Sequence, residues 1–279
     1  MKNTFKKIFQ HLAVATVVFW SVLFVYLGFQ YMPRDHHVDL YGVSDQTVTH
    51  IVHTLREARA QDTVYLHVAS FGGSVKTMMQ LLNSIEHSKA HVVTISEAAS
   101  ISAGSSTTLA GDEIIVRNPT IFMFHLARYM TFFGPVIVPL DDPIQYTTTK
   151  IAAKYSAPYM TIKEIDRYLA GEDVWVQGEV MAARVAQGPV KSHTAYMLEK
   201  NRELTEKHVK ARAKRLKNIE KDLEDILNPE GLLSMSLLKS FVKKNAAFYL
   251  KYSKNREYRD VMKDLIEFTK VNPKEMRMQ

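Results

Sequence analysis

Between Val38 and Phe124, short apolar runs alternate with amphipathic stretches, and this alternation constrains the fold more than any other feature of the chain. Val38 to Val43, Thr63 to Ala69 (TVYLHVA), His91 to Ile95, Ile114 to Val116 and Thr120 to Phe124 read as strands bounded by turn residues. Between them, Val48, Ile51, Val52 and Leu55 recur at helical spacing after a capping Ser44. Val75, Met78, Met79, Leu82 and Ile85 do the same after the turn Phe71-Gly72-Gly73-Ser74. Ala98 to Leu109 reads as a helix of small residues. Strands and half-apolar helices in alternation bury both sets of side chains only by stacking in layers, so an α/β domain of β-α-β units is expected. A hydrophobic share of 46% supplies its core, and zero cysteines exclude disulfides, thiolate metal sites and a cysteine nucleophile.

Further helices are expected at Ile144 to Tyr155, at Ile162 to Leu169 with Ala170-Gly171 as its end, and at Gln177 to Ala186. From Ala195 the pattern becomes long charged helices: Ala195 to Leu227, Leu232 to Tyr252 and Arg256 to Thr269, with a break at Asn228-Pro229-Glu230-Gly231. This tail carries 20 Lys and Arg against 13 Asp and Glu, an excess equal to the whole net charge of +7. Its mixed signs suit a solvated or coiled helix and lack the aromatic interleaving of a nucleic-acid patch, so no nucleic-acid partner is expected. Three regions follow: residues 1–33, 34–192 and 193–279.

The first of these contains Leu12 to Phe29, a charge-free run of 18 residues. As a helix it rises roughly 27 Å, close to the thickness of a bilayer core. Lys2, Lys6 and Lys7 precede it, so the positive-inside bias leaves the remainder extracytoplasmic on a single-pass anchor in the lipid bilayer. A cleaved secretory signal and a buried core helix are the competing readings. No small-x-small cleavage site follows the run, and the run exceeds a usual signal core, which favours the anchor.

Three places where a strand gives way to a turn stand out. Gly72-Gly73 lets backbone N–H groups approach a ligand, though a tight turn explains the pair equally. Ser100, in Glu97-Ala98-Ala99-Ser100-Ile101-Ser102-Ala103-Gly104, lies at the expected helix start with small neighbours, where a serine also serves as a plain cap. Ser102, Ser105 and Ser106 dilute that signal. His125 ends an apolar strand and is the usual kind of base for a serine hydroxyl, and Asp173 in Gly171-Glu172-Asp173-Val174-Trp175-Val176 is a candidate for its partner. Alone, each has an ordinary structural explanation.

Together, Val68-Ala69-Ser70-Phe71-Gly72-Gly73-Ser74-Val75, Glu97-Ala98-Ala99-Ser100-Ile101, Phe122-Met123-Phe124-His125 and Asp173-Val174-Trp175-Val176 resemble the Clp protease proteolytic subunit family. The gaps of 25 and 48 residues from Ser100 to His125 and on to Asp173 are close to the family's spacing. The resemblance implies a Clp/crotonase-like fold and assigns Ser100 as nucleophile, His125 as base and then acid, and Asp173 as the group that orients the imidazole. It also assigns the N–H groups of Gly72 and Ile101 to the oxyanion hole. The family's proline before the glycine pair is Phe71 here, its glycine two after the serine is Ser102, and its Gln-Pro after the histidine is Leu126-Ala127. The region Gly134 to Tyr159 is altered, and neither the anchor nor the tail has a counterpart, so pairing with an unfoldase ATPase loses its basis.

The expectation is a membrane-anchored serine endopeptidase that cleaves peptides through an acyl-enzyme, self-associates, and needs no cofactor or metal. The signal peptide peptidase A family suggests a rival, a serine-lysine dyad with Lys150 or Lys154 as base. An inactive membrane-tethered scaffold is the second, separated from the first by whether the three residues converge. His36-His37, and His50 with His53, lack companions for a zinc site.

Overall fold

The computed structural model describes residues 2–131, 134–227, 235–253 and 256–271. The chain divides into two compact units, Met1–Asn201 and Arg202–Gln279.

The first unit opens with helix α1 (Lys2–Tyr31), and then β1 (Asp35–Leu40), α2 (Asp45–Glu57), β2 (Thr63–Ser70), α3 (Val75–Glu86) and β3 (His91–Ile101) follow as successive β-α-β units. Ser44 caps α2 in a reciprocal box with Thr47, which satisfies two of the N–H groups a helix start leaves unpaired. Ser74 likewise accepts from the Thr77 N–H at the start of α3. Val48, Ile51, Val52 and Leu55 of α2, and Met78, Leu81, Leu82 and Ile85 of α3, form one core with Val64, Leu66 and Val68 of β2. Met79, expected on the buried stripe of α3, lies outside it, 42% exposed.

Next come α4 (Ala103–Thr108), β4 (Glu113–Val116), β5 (Ile121–Phe124) and an antiparallel ribbon, β6 (Arg128–Thr131) with β7 (Gly134–Ile137). Helices α5 (Pro143–Tyr155) and α6 (Ile162–Leu169), strand β8 (Val174–Gln177) and α7 (Gly178–Gln187) complete the domain before the long α8 (Lys191–Leu227). The sheet order is β1-β2-β3-β5-β8 with β4 beside β3, parallel throughout except for β8. This parallel-dominated α/β sheet fits the Clp/crotonase-like expectation.

Two features depart from the sequence reading. The strand expected to stop at Ile95 continues to Ile101, and the helix expected from Ala98 starts only at Ala103. Pairing of Ala99 with Ile121, Ser100 with Phe122 and Ile101 with Met123 holds this small-residue stretch extended, so ladder hydrogen bonds override the helical propensity of alanine. The β6–β7 ribbon was not expected at all; its strands of four residues each are too short for periodicity to register.

Helix α1 contains the run expected to span a bilayer, but among the described residues no helix is long and apolar enough to cross a membrane. Many of its apolar side chains are nonetheless open to solvent, Val17 at 65% and Phe24 at 74%. Just after it, the Met32 carbonyl accepts from Arg59 Nη2 at 2.8 Å.

In the second unit, the later part of α8, α9 (Met235–Tyr252) and α10 (Arg256–Thr269) share a core of Ile219, Leu223, Val242, Ala246, Tyr249 and Met262. The Tyr249 hydroxyl donates to Glu220 at 2.8 Å. The break expected at Asn228-Pro229-Glu230-Gly231 lies outside the described residues.

Candidate active site

Strand register determines which residues meet at the end of the sheet. The Ser102 N–H donates to the Met123 carbonyl at 2.8 Å, continuing the parallel β3–β5 ladder and setting Ser102 beside the end of β5. In the antiparallel β5–β8 pair, Phe122 faces Val176 and Phe124 faces Val174, so the chain runs on to His125 and arrives from Asp173 at the same end of the ladder. Ser102 and His125 line one cleft, together with Gly73, Met78, Phe124 and Ala152.

Ser102 lines this cleft, as do Ser106 and Ser156, whereas Ser100, the serine expected there, does not. Because β3 runs on to Ile101, Ser100 is fully buried beneath α4, its Oγ 2.8 Å from Thr108 Oγ1. Ser100 Oγ also donates to Ser96 Oγ at 3.4 Å, and the Thr108 hydroxyl donates to the Gly104 carbonyl at 3.0 Å. Ser102 is partly exposed and sits at the strand-to-helix turn with φ 57 and ψ −118. Its hydroxyl makes no capping bond to α4. A non-glycine residue held in this region costs about 1–3 kcal/mol, and such strain gathers where a side chain must be presented outward.

The oxyanion assignments shift in the same way. The Gly72 N–H donates to Ser70 Oγ at 3.1 Å, and Ile101 belongs to β3 upstream of the cleft serine. Gly73 bridges Val43 through the Gly72 carbonyl (3.0 Å) and the Ser74 N–H (2.8 Å), which leaves its own N–H outside the bridge. Only glycine fits here: a Cβ on Gly73 would lie 2.2 Å from the Val43 carbonyl oxygen, and one on Gly72 2.8 Å from Ser102 Cβ. The Ser102 carbonyl accepts the N–H groups of Ser105 and Ser106, so the helical ladder of α4 does not use the Ala103 N–H. Gly73 and Ala103 therefore replace Gly72 and Ile101 as candidate donors.

His125 is half-buried, with Nδ1 2.7 Å from the Leu126 carbonyl oxygen. A carbonyl only accepts, so Nδ1 carries the proton and Nε2 keeps its lone pair. Burial pushes the imidazole pKa below its ordinary value and the Arg128 charge adds to this, while the Leu126 bond and Asp173 oppose it. The ring is neutral near pH 7, as a base must be. Asp173 lies at the same end of the β5–β8 ladder, but its carboxylate is ion-paired with Arg128 Nη2.

The lysines of the rival dyad lie elsewhere. Lys154 pairs with Glu86, which raises its pKa, and Lys150 stands over the Tyr146 ring at 4.4 Å; both line a separate hollow with Met79. A lysine base needs its pKa depressed. Among the described residues no cluster of three or more His, Asp or Glu is placed to hold a metal ion.

Sequence reasoning missed Ser102 although a signal was present. The glycine that the resemblance requires two residues after the nucleophile is absent after Ser100 and present, as Gly104, after Ser102. Arg128 had no signal, since nothing in the sequence marks the ribbon that carries it.

A family model described as Clp protease matches residues 25–131, a stretch that includes Gly73, Ser102, Ala103 and His125 and ends before Asp173. No curated protein matches the chain. The match supports the Clp-like peptidase family, and with it a serine peptidase acting on peptides.

Proposed function

We propose that the chain is a membrane-anchored serine endopeptidase that hydrolyses peptide bonds through an acyl-enzyme on Ser102. The observation that carries this reading is the joint placement of a strained, outward-turned Ser102 and a neutral His125 in one cleft, with Asp173 at the same end of the β5–β8 ladder. Ser102 Oγ attacks the scissile carbonyl carbon while its proton passes to His125 Nε2. The oxygen of the tetrahedral intermediate accepts from the N–H groups of Gly73 and Ala103. His125 returns the proton to the leaving amine, and a water repeats the sequence on the ester to free the acid and regenerate Ser102.

Anchoring rests on the charge-free run Leu12 to Phe29 and on the exposed apolar side chains of α1, which have no aqueous role. The lysines before the run support an extracytoplasmic position for the peptidase domain. Association with further copies of the chain belongs to the same proposal, through the family match.

The test is labelling with a fluorophosphonate probe followed by peptide mapping, alongside alkaline carbonate extraction of membranes. Adduct on Ser102, lost in Ser102→Ala and in His125→Ala, is the expected outcome. Adduct on another serine, or none on folded protein, refutes the mechanism; release of the full-length chain by carbonate refutes the anchor.

A further inference from the structure

Asp173 and His125 flank the end of the β5–β8 ladder, and the Asp173 charge acts on the imidazole, yet each is bonded to a different partner. The carboxylate is held by Arg128, the first residue of β6, and the imidazole donates to the carbonyl of its own neighbour Leu126 at 2.7 Å. We propose that Arg128 is a positioning residue that withholds Asp173 from His125, and that displacement of the β6–β7 ribbon completes the triad. The proposal rests on the serine-peptidase reading of the same cleft and concerns its regulation.

The competition has a clear physical order. A guanidinium–carboxylate pair joins two full charges, whereas a neutral imidazole N–H offers a weaker bond, so Arg128 holds the carboxylate while it is within reach. The Leu126 carbonyl fixes the tautomer of His125 but carries no charge to stabilise the imidazolium that forms during turnover. In the observed arrangement the base is therefore oriented but only partly supported.

The ribbon is suited to move. Its two strands have four residues each, and a two-stranded ribbon of this length is marginal without further support. Met130 is 81% exposed and Val136 50%. Its ties among the described residues include the Val138 N–H to Ala127 carbonyl bond of 2.8 Å, the Tyr129 hydroxyl to Asp142 at 3.1 Å, and the Arg128 ion pair itself. Arg128 and Asp173 are the charged groups acting on His125; the residues that α3, α4, α5 and α6 contribute to the cleft include no Asp, Glu, Lys or Arg.

The test compares wild type with Arg128→Gln, Arg128→Lys and Arg128→Gln/Asp173→Asn in the full chain. Two readouts are taken: the rate of fluorophosphonate adduct formation on Ser102, and the pH dependence of His125 modification by diethylpyrocarbonate, mapped by mass spectrometry. Arg128→Gln is expected to raise the labelling rate several-fold and to move the His125 titration to higher pH. Both effects should vanish in the double variant, and Arg128→Lys should stay close to wild type. A His125 titration unmoved by Arg128→Gln, or moved equally in the double variant, overturns the proposal. If no protein labels but the titration shifts as described, the Arg128 competition stands and the peptidase reading fails. Far-ultraviolet circular dichroism of each variant excludes misfolding as the source of any loss.

Discussion

Exchanging the two neighbouring serines separately tests the site most directly, because the structure gives the two substitutions opposite signs. Ser100→Ala removes a buried hydroxyl paired with Thr108 Oγ1 at 2.8 Å and donating to Ser96 Oγ at 3.4 Å. Thr108 keeps its donation to Gly104, while the fully buried Ser96 hydroxyl loses its Ser100 partner, so the loss should lie at about 1–3 kcal/mol. Ser102→Gly relieves a backbone held at φ 57 and ψ −118, a strain of about 1–3 kcal/mol, against the extra conformational entropy of glycine of about 0.5–1 kcal/mol. The net is a gain of about 1 kcal/mol. For a unit of this size each kcal/mol moves the melting temperature by about 2–4 °C. The assay is thermal or urea denaturation of both variants, paired with fluorophosphonate labelling. Ser100→Ala should melt lower and label normally, while Ser102→Gly should melt higher and not label. A destabilised Ser102→Gly, or loss of label in Ser100→Ala with the fold intact, would refute the assignment of strain and nucleophile to Ser102.

Other expectations follow from the same geometry. Lys150→Ala and Lys154→Ala should keep the Ser102 label, because both side chains lie outside the cleft and their exposed contacts contribute under about 1 kcal/mol; loss of label in either would restore the serine-lysine reading. Gly73→Ala should destabilise the domain by about 2–4 kcal/mol and abolish labelling, since its Cβ would meet the Val43 carbonyl oxygen at 2.2 Å; chemical denaturation measures this. The folded pKa of His125 lies below the ordinary histidine value of about 6.5, so the base stays neutral and labelling should persist as pH falls through that value. In the same window the unfolded chain binds a proton that the folded chain refuses, so stability drops there. His125→Gln should flatten that part of the stability–pH curve, and an unchanged curve would contradict the lowered pKa.

The layered α/β domain, its helix cap at Ser44 and the cleft histidine were legible in the sequence, because periodicity and capping are local and each is set by residues within a turn or two of one another. Of the four segments that carried the family resemblance, three fall within the matched residues 25–131 and the Asp173 segment lies beyond them. The choice between Ser100 and Ser102 was not local. It depended on where β3 ends, and that end is set by pairing with β5, some twenty residues downstream, which holds Ala99 to Ile101 extended against their helical propensity. The six residues by which β3 outruns its expected end bury one serine under α4 and set the other at the cleft, and the proposed oxyanion donors follow it from Gly72 and Ile101 to Gly73 and Ala103. The engagement of Asp173 by Arg128 was equally beyond reach, since it joins residues 45 apart through a ribbon too short to leave a pattern. The sequence by itself therefore determined the chemistry available at the end of the sheet, while register and side-chain competition, which exist only once distant strands pair, decided which atoms present it.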